Sequence, residues 1–136
     1  MVRLDLNVPL SKDGKTITSD KRLREVVPTL KFLHAQGAKT VVATHLGRPK
    51  PPGPFPDALK TKVLQQRLSE LLDVDVRRGP EGESVGTAAA KACGDLSNGS
   101  ILLLENVRFS PGEEKNDPAF AAALAQASHA RLCVDA

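Results

Sequence analysis

The feature that most constrains the fold is a run that is apolar or β-prone for four residues and then turns abruptly polar. Val41-Val42-Ala43-Thr44 is followed by His45-Leu46-Gly47-Arg48-Pro49-Lys50. A short apolar run bounded by a polar turn is the pattern of a fully buried parallel strand. Gly47 and Pro49 stop the strand and open a loop. His45 and Arg48 then sit at the strand's C-terminal end, which is where ligands bind in open α/β sheets.

The same arrangement recurs along the chain. Met1 to Leu4 reads as a first strand, ended by Asp5-Leu6-Asn7-Val8-Pro9, with a polar turn over residues 11–18 tipped by Asp13-Gly14. Ser19 or Asp20 is the expected cap of a helix running to about Gln36, with Leu23, Val26, Val27, Leu30 and Leu33 as its apolar stripe. Pro28 is expected to kink or restart that helix, and Gly37 to stop it. A strand, a helix and a strand in this order make a βαβ unit, which implies parallel strands and a right-handed crossover.

Helical spacing resumes near Leu59, with Leu64, Leu68, Leu71 and Leu72 on one face. Val74 to Val76 reads as a third strand, residues 79–82 as a turn, and Ala88 to Cys93 as a helix ended by Gly94. Ile101-Leu102-Leu103-Leu104 is a fourth strand, polar again at its end through Glu105, Asn106 and Arg108. Asp117-Pro118 starts a helix, with Asp as N-cap and Pro in the first helical position. Phe120, Ala121, Leu124 and Ala127 are its expected buried face, and Arg131 to Val134 opens a fifth strand. The chain begins in one strand and stops in another, so both ends read as cut. One parallel sheet over residues 1–4, 39–44, 74–77, 101–104 and 131–134 is the expected core.

Composition narrows the function classes. The 136 residues are the size of one domain, and 40% hydrophobic content is enough for a core. A net charge of +3 permits a phosphate-bearing partner. Nucleic acid is disfavoured, because with four Phe and no Trp or Tyr the chain has almost no stacking platform for bases. Cys93 and Cys133 lack CxxC spacing and read as reduced core residues of a cytoplasmic protein. No apolar run approaches the roughly 18 residues of a membrane helix, and no leader is visible. His34, His45 and His129 lack metal-ligand spacing, so no metal site is assigned. No GxxxxGK[ST] or GxGxxG is present, so the chain shows no nucleotide site of its own. Residues 49–56 hold five of the ten prolines and read as a stiff spacer rather than a PxxP ligand.

Three polar clusters follow apolar strands: Asp5 with Asn7, His45 with Arg48, and Asn106 with Arg108. Arg22 lies at the start of the first helix. Parallel strands bring all of these to one edge, as a basic rim with amide and carboxylate acceptors. Arginine forks suit carboxylate and phosphate oxygens; Asp5 and Asn7 suit hydroxyl groups. A small phosphorylated hydroxy acid satisfies every group. Each residue alone has an ordinary explanation. An Arg after a strand is mostly a solvated charge, Asn7 and Asn106 are common turn residues, and His45 can simply cap its strand. The coincidence at three strand ends is what favours a ligand site.

In order, the motifs are Arg3-x-Asp5-x-Asn7-Val8-Pro9, Thr18-Ser19-Asp20-Lys21-Arg22-Leu23-Arg24, His45-Leu46-Gly47-Arg48-Pro49, Leu104-Glu105-Asn106-Val107-Arg108-Phe109 and Pro111-Gly112-Glu113-Glu114-Lys115-Asn116-Asp117. Over nearly its whole length the chain resembles the N-terminal domain of phosphoglycerate kinase. The resemblance implies a three-layer α/β/α, Rossmann-like parallel sheet with strand order 3-4-2-1-5 and a sixth strand missing. It implies that residues 1–136 are part of the glycerate-binding N-terminal domain of a two-domain enzyme. That enzyme transfers a phosphoryl group reversibly from 1,3-bisphosphoglycerate to ADP, giving 3-phosphoglycerate and ATP. Mg-ADP or Mg-ATP is then the co-substrate, held by a C-terminal domain outside this chain.

By the same resemblance, Asp5 and Asn7 bind the hydroxy-acid end, while His45, Arg48 and Arg108 bind the phosphate that stays. Arg22 is the catalytic residue, neutralising the group in transfer. The chain departs from the family in three ways. A further phosphate-binding Arg lies past Ala136, Val134-Asp135-Ala136 lacks the Asn of the family's Val-Asn-Asp-Ala, and the Pro-rich stretch is longer than expected. Two other readings stay open: a stand-alone phospho-ligand binding module without kinase activity, and a basic interaction protein for nucleic acid.

Overall fold

The computed structural model describes residues 1–136. Five strands form one sheet: β1 (Val2–Arg3), β2 (Thr40–Ala43), β3 (Val76–Arg78), β4 (Ile101–Leu103) and β5 (Val134–Asp135). Every pairing is parallel, in the order β3-β4-β2-β1-β5. Four helices connect them: α1 (Lys21–Ala35), α2 (Lys62–Leu72), α3 (Thr87–Gly94) and α4 (Pro118–Ala127).

Strand alternation divides the core between two layers. Val42, Ile101 and Leu103 join Leu23, Leu30, Leu64 and Leu68 in the layer of α1 and α2. Val41, Ala43, Leu102 and Leu104 join Ala89, Cys93 and Leu124 in the layer of α3 and α4. All four residues of β2 are buried, as a central strand covered on both faces requires. The expected three-layer α/β/α architecture and strand order are what the chain adopts.

Several local expectations differ. α1 runs unbroken through Pro28. That residue and Arg24, whose carbonyl it leaves without a helical donor, are both exposed, so the loss falls on the solvent-facing side of the helix. Asp20 is the N-cap of α1, but its side chain makes no cap. It binds Arg24 within α1 and Arg67 of α2, the latter through Nε at 2.9 Å and Nη2 at 2.7 Å, and so ties the two helices together. α2 starts at Lys62, after a separate 3-10 turn at Asp57–Leu59.

β3 begins at Val76 rather than Val74, because pairing of Val76 with Ile101 sets its register and Asp73 is left-handed just before it. β5 starts at Val134, where pairing with Val2 begins. Cys133 precedes that pairing and is exposed, not a core residue; Cys93 is buried. On α4, Ala121 faces solvent, while Ala123 is half-buried beside Leu124 and Ala127. Gly37 stops α1 at φ +72°, and Asp117 caps α4 through the Ala119 N–H at 2.8 Å. No helix is long and apolar enough to cross a membrane.

Candidate functional site

The parallel sheet brings the three polar strand ends to one edge. After β1, the alternation continues: Leu4, Leu6 and Val8 are buried, and Asp5 and Asn7 are turned outward. The Asn7 N–H donates to Asp5 Oδ1 at 3.1 Å, fixing the turn. Arg22, in the first turn of α1, reaches the same loop. Its Nη1 donates to Asp5 Oδ1 at 2.9 Å and to the Asn7 carbonyl at 3.0 Å. Asn7 Oδ1 accepts from the Gly47 N–H at 2.8 Å, so it also ties the β1 loop to the β2 loop. Asp5, Asn7 and Arg22 thus form one bonded unit, with part of their polar capacity used within the protein.

The β2 loop is held from below by Asn106. Its side chain is fully buried, and Oδ1 accepts from the N–H groups of Leu46 (3.2 Å) and Arg108 (3.1 Å). Its Nδ2 donates to the carbonyls of Leu46 (2.8 Å) and Leu59 (2.9 Å). Thr44 adds a further tie, accepting from the Leu6 N–H at 3.1 Å. Gly47 is left-handed at φ +63°, and a Cβ there would meet the Leu59 Cδ2 at 2.5 Å, so any other residue would carry backbone strain and push Leu59 aside. Arg48 follows it, exposed and without an ion-pair partner. His45 is half-buried and its ring bonds no protein group. Burial first, and the nearby Arg108 cation next, push its pKa below the usual 6.5.

Arg108 sits in a 3-10 turn, Val107–Phe109, that begins directly behind Asn106. It is bonded to Glu113, which raises its pKa further. Glu113 is itself nearly buried. Burial alone would raise its carboxyl, but the bonds from Arg108 and Arg3 outweigh it and hold the group below its ordinary 4.5. Phe109 stacks on Phe55 of the Pro-rich stretch, ring centres 4.0 Å apart and planes at 7°, so that stretch is pinned beside Arg108. Beneath the rim lies Glu105, 1% exposed, accepting from Thr61 N–H and Oγ1, Asn106 N–H and Gly82 N–H.

All six residues expected at the site therefore lie on one sheet edge. Arg22 joins Asp5 and Asn7 directly. His45 lies in the field of Arg108, Asp5, Glu113 and Arg3. Two concavities of the molecule lie elsewhere. One is a polar groove of about 680 Å³ between residues 15–24 and α2. The other is an apolar cavity of about 510 Å³ among Met1, Leu33, Cys93 and Leu132. Neither is lined by any of the six. Asn106 was expected at the rim beside Arg108, but as a ligand-facing group rather than a buried support; Glu105, Glu113 and Arg3 were not foreseen as working parts. Each stands inside a quoted motif, and that position was the only signal.

A sequence model of the family described as phosphoglycerate kinase matches residues 1–135. The chain is 48% identical over 124 residues to the phosphoglycerate kinase of Picosynechococcus sp., covering 91% of this chain and 30% of that protein. It is 49% identical to the cytosolic phosphoglycerate kinase of Triticum aestivum, covering 91% of this chain and 29% of that one. In three dimensions it is similar to the phosphoglycerate kinase of Pyrococcus horikoshii OT3, with a TM-score of 0.78 and 32% identity. That match covers 98% of this chain and 32% of the other. The chain thus spans about 30% of the length of these relatives. With its parallel sheet and the polar strand ends gathered on one edge, the chain belongs to the phosphoglycerate kinase family.

Proposed function

We propose that residues 1–136 form the greater part of the glycerate-binding N-terminal domain of a phosphoglycerate kinase. The enzyme transfers a phosphoryl group between 1,3-bisphosphoglycerate and ADP, giving 3-phosphoglycerate and ATP. The observation that carries this reading is the gathering of Arg22, His45, Arg48 and Arg108 with Asp5 and Asn7 at the C-terminal edge of one parallel sheet. Arg48 and Arg108 bind the phosphate that is not transferred, and His45 lines it. Asp5 and Asn7 receive the hydroxy-acid end through the acceptor and donor positions not used within the protein. Arg22 faces the group in transfer.

The nucleotide, as Mg-ADP or Mg-ATP, is held by a C-terminal domain outside residues 1–136, a division supported by the 30% coverage of the relatives. Neither nucleic acid nor a membrane is a partner in this reading. The cytoplasm is its compartment, although a chloroplastic relative from Volvox carteri matches at 48% identity as well.

The test is calorimetric titration with 3-phosphoglycerate. Arg48→Ala and Arg108→Ala are each expected to weaken binding by about 1.5–3 kcal/mol, the worth of a hydrogen bond to a charged group. Unchanged affinity in both variants overturns the assigned phosphate site. Residues 1–136 alone are expected to give no turnover in a coupled assay with 3-phosphoglycerate and Mg-ATP, because the chain has no nucleotide-binding motif. Turnover by this piece alone overturns the division of labour.

A further inference from the structure

The carboxylate of Glu113 sits inside the basic rim, where an anion would be expected to compete with a ligand. Its geometry points to a different role. The side chain is only 6% exposed. It holds two arginines from different elements. Oε2 accepts from Arg108 Nε at 2.8 Å, while Oε1 accepts from Arg108 Nη2 at 3.4 Å and from Arg3 Nη2 at 2.9 Å. Arg3 belongs to β1, and Arg108 follows β4. Glu113 is therefore a cross-link between two strand ends.

A guanidinium gripped along its Nε side cannot rotate about its stem. Nη1 of Arg108 makes no bond within the protein, so the fork keeps an open edge in a fixed direction. A planar fork recognises phosphate or carboxylate oxygens best when its orientation is set beforehand by supporting hydrogen bonds. We infer that Glu113 is a positioning residue: it aims Arg108 at an anionic oxygen of the substrate, with Arg3 as its second anchor. This rests on the glycerate-binding role proposed above. The rival role, a counter-ion that the substrate must displace, fits the burial poorly. The carboxylate occupies the Nε side, not the open edge, and both its oxygens are bonded.

The two roles predict opposite signs. The experiment titrates the full-length protein with 3-phosphoglycerate and, separately, with inorganic phosphate. The variants are Glu113→Ala, Glu113→Gln, Arg108→Ala and the double variant Glu113→Ala/Arg108→Ala. Glu113→Ala is expected to weaken 3-phosphoglycerate binding about tenfold, on the scale of one lost charge-assisted hydrogen bond. Glu113→Gln keeps the shape and one acceptor, and is expected to lose less. The KM for 3-phosphoglycerate should rise while kcat and the nucleotide KM stay within about twofold, since aiming acts on binding.

In the Arg108→Ala background, Glu113→Ala should cost nothing further, because no fork remains to be aimed. A slowly exchanging Arg108 Nε–H signal in nitrogen-15 NMR should be present in the wild type and exchange measurably faster in Glu113→Gln, whose neutral amide is a weaker acceptor, which keeps the test open where Glu113→Ala fails to fold. Unchanged or tighter ligand binding in the Glu113 variants overturns the inference, as does an additive loss in the double variant. A wild type that binds inorganic phosphate but not 3-phosphoglycerate overturns the kinase reading. The phosphate titrations then decide the role of Glu113 by the same signs.

Discussion

Replacing Asn106 by alanine is expected to destabilise the domain by about 2–4 kcal/mol, since two buried and two part-buried backbone groups lose their partner at once. The side chain has no exposure. Its four hydrogen bonds serve Leu46 N–H, Leu46 C=O, Arg108 N–H and Leu59 C=O. Each group left dry costs about 1–3 kcal/mol, and water entering the small cavity returns part of that. Asn106→Asp should be no better. It keeps the acceptor for the two N–H groups but turns a donor into a charged acceptor facing two carbonyls, in a site without a cation. Urea unfolding followed by circular dichroism checks both variants. A loss below about 1 kcal/mol in Asn106→Ala would mean that the loop re-bonds to water, and would remove Asn106 from the support of the rim.

The same residue shows where sequence reading works and where it stops. The strands over 40–43 and 101–103 were legible because both faces of a central parallel strand are buried, and an unbroken apolar run records that. The polar ends were legible as chemistry because the strands are parallel, so their ends must share an edge. The strand order itself came from the family resemblance.

β3 was misplaced because it carries Arg77 and Arg78, half-buried side chains that local hydropathy assigns to a loop. Asn106 was legible as a polar strand end beside Arg108 and Glu105 as part of the same end, but not as buried supports, since nothing local says that Leu59, Thr61 and Gly82 come back to meet them. Those contacts span 23 to 47 residues, beyond the range of any propensity. Arg22 was foreseen at the rim, yet its bond to the Asp5 carboxylate was not, because it needs the helix and the loop in their folded places.

That bond shapes what Arg22 does. Arg22→Ala in the full-length enzyme is expected to cut kcat by about 10² or more, on the scale of losing one fixed donor to a developing charge. One nitrogen, Nη1, carries both bonds to the Asp5–Asn7 loop. Nε and Nη2 bond nothing in the protein, so both are open to a ligand, and the proposed reading assigns them to the group in transfer. In phosphoryl transfer, charge spreads over three equatorial oxygens in the transition state, and a preset cation helps most at that moment. The loss should therefore fall on kcat, with substrate affinity changing far less.

Stability gives a clean control. The Arg22–Asp5 pair is 46% and 57% exposed, so its removal should leave unfolding within about 1 kcal/mol of the wild type. Lost turnover with intact stability is then a statement about chemistry and not about folding. Arg22→Lys should recover only part of the rate, because an ammonium cannot hold the loop and still present a second donor plane. Steady-state kinetics over both substrates decides the matter. A higher KM with kcat unchanged would reduce Arg22 to a binding residue and leave the rim without its catalytic cation.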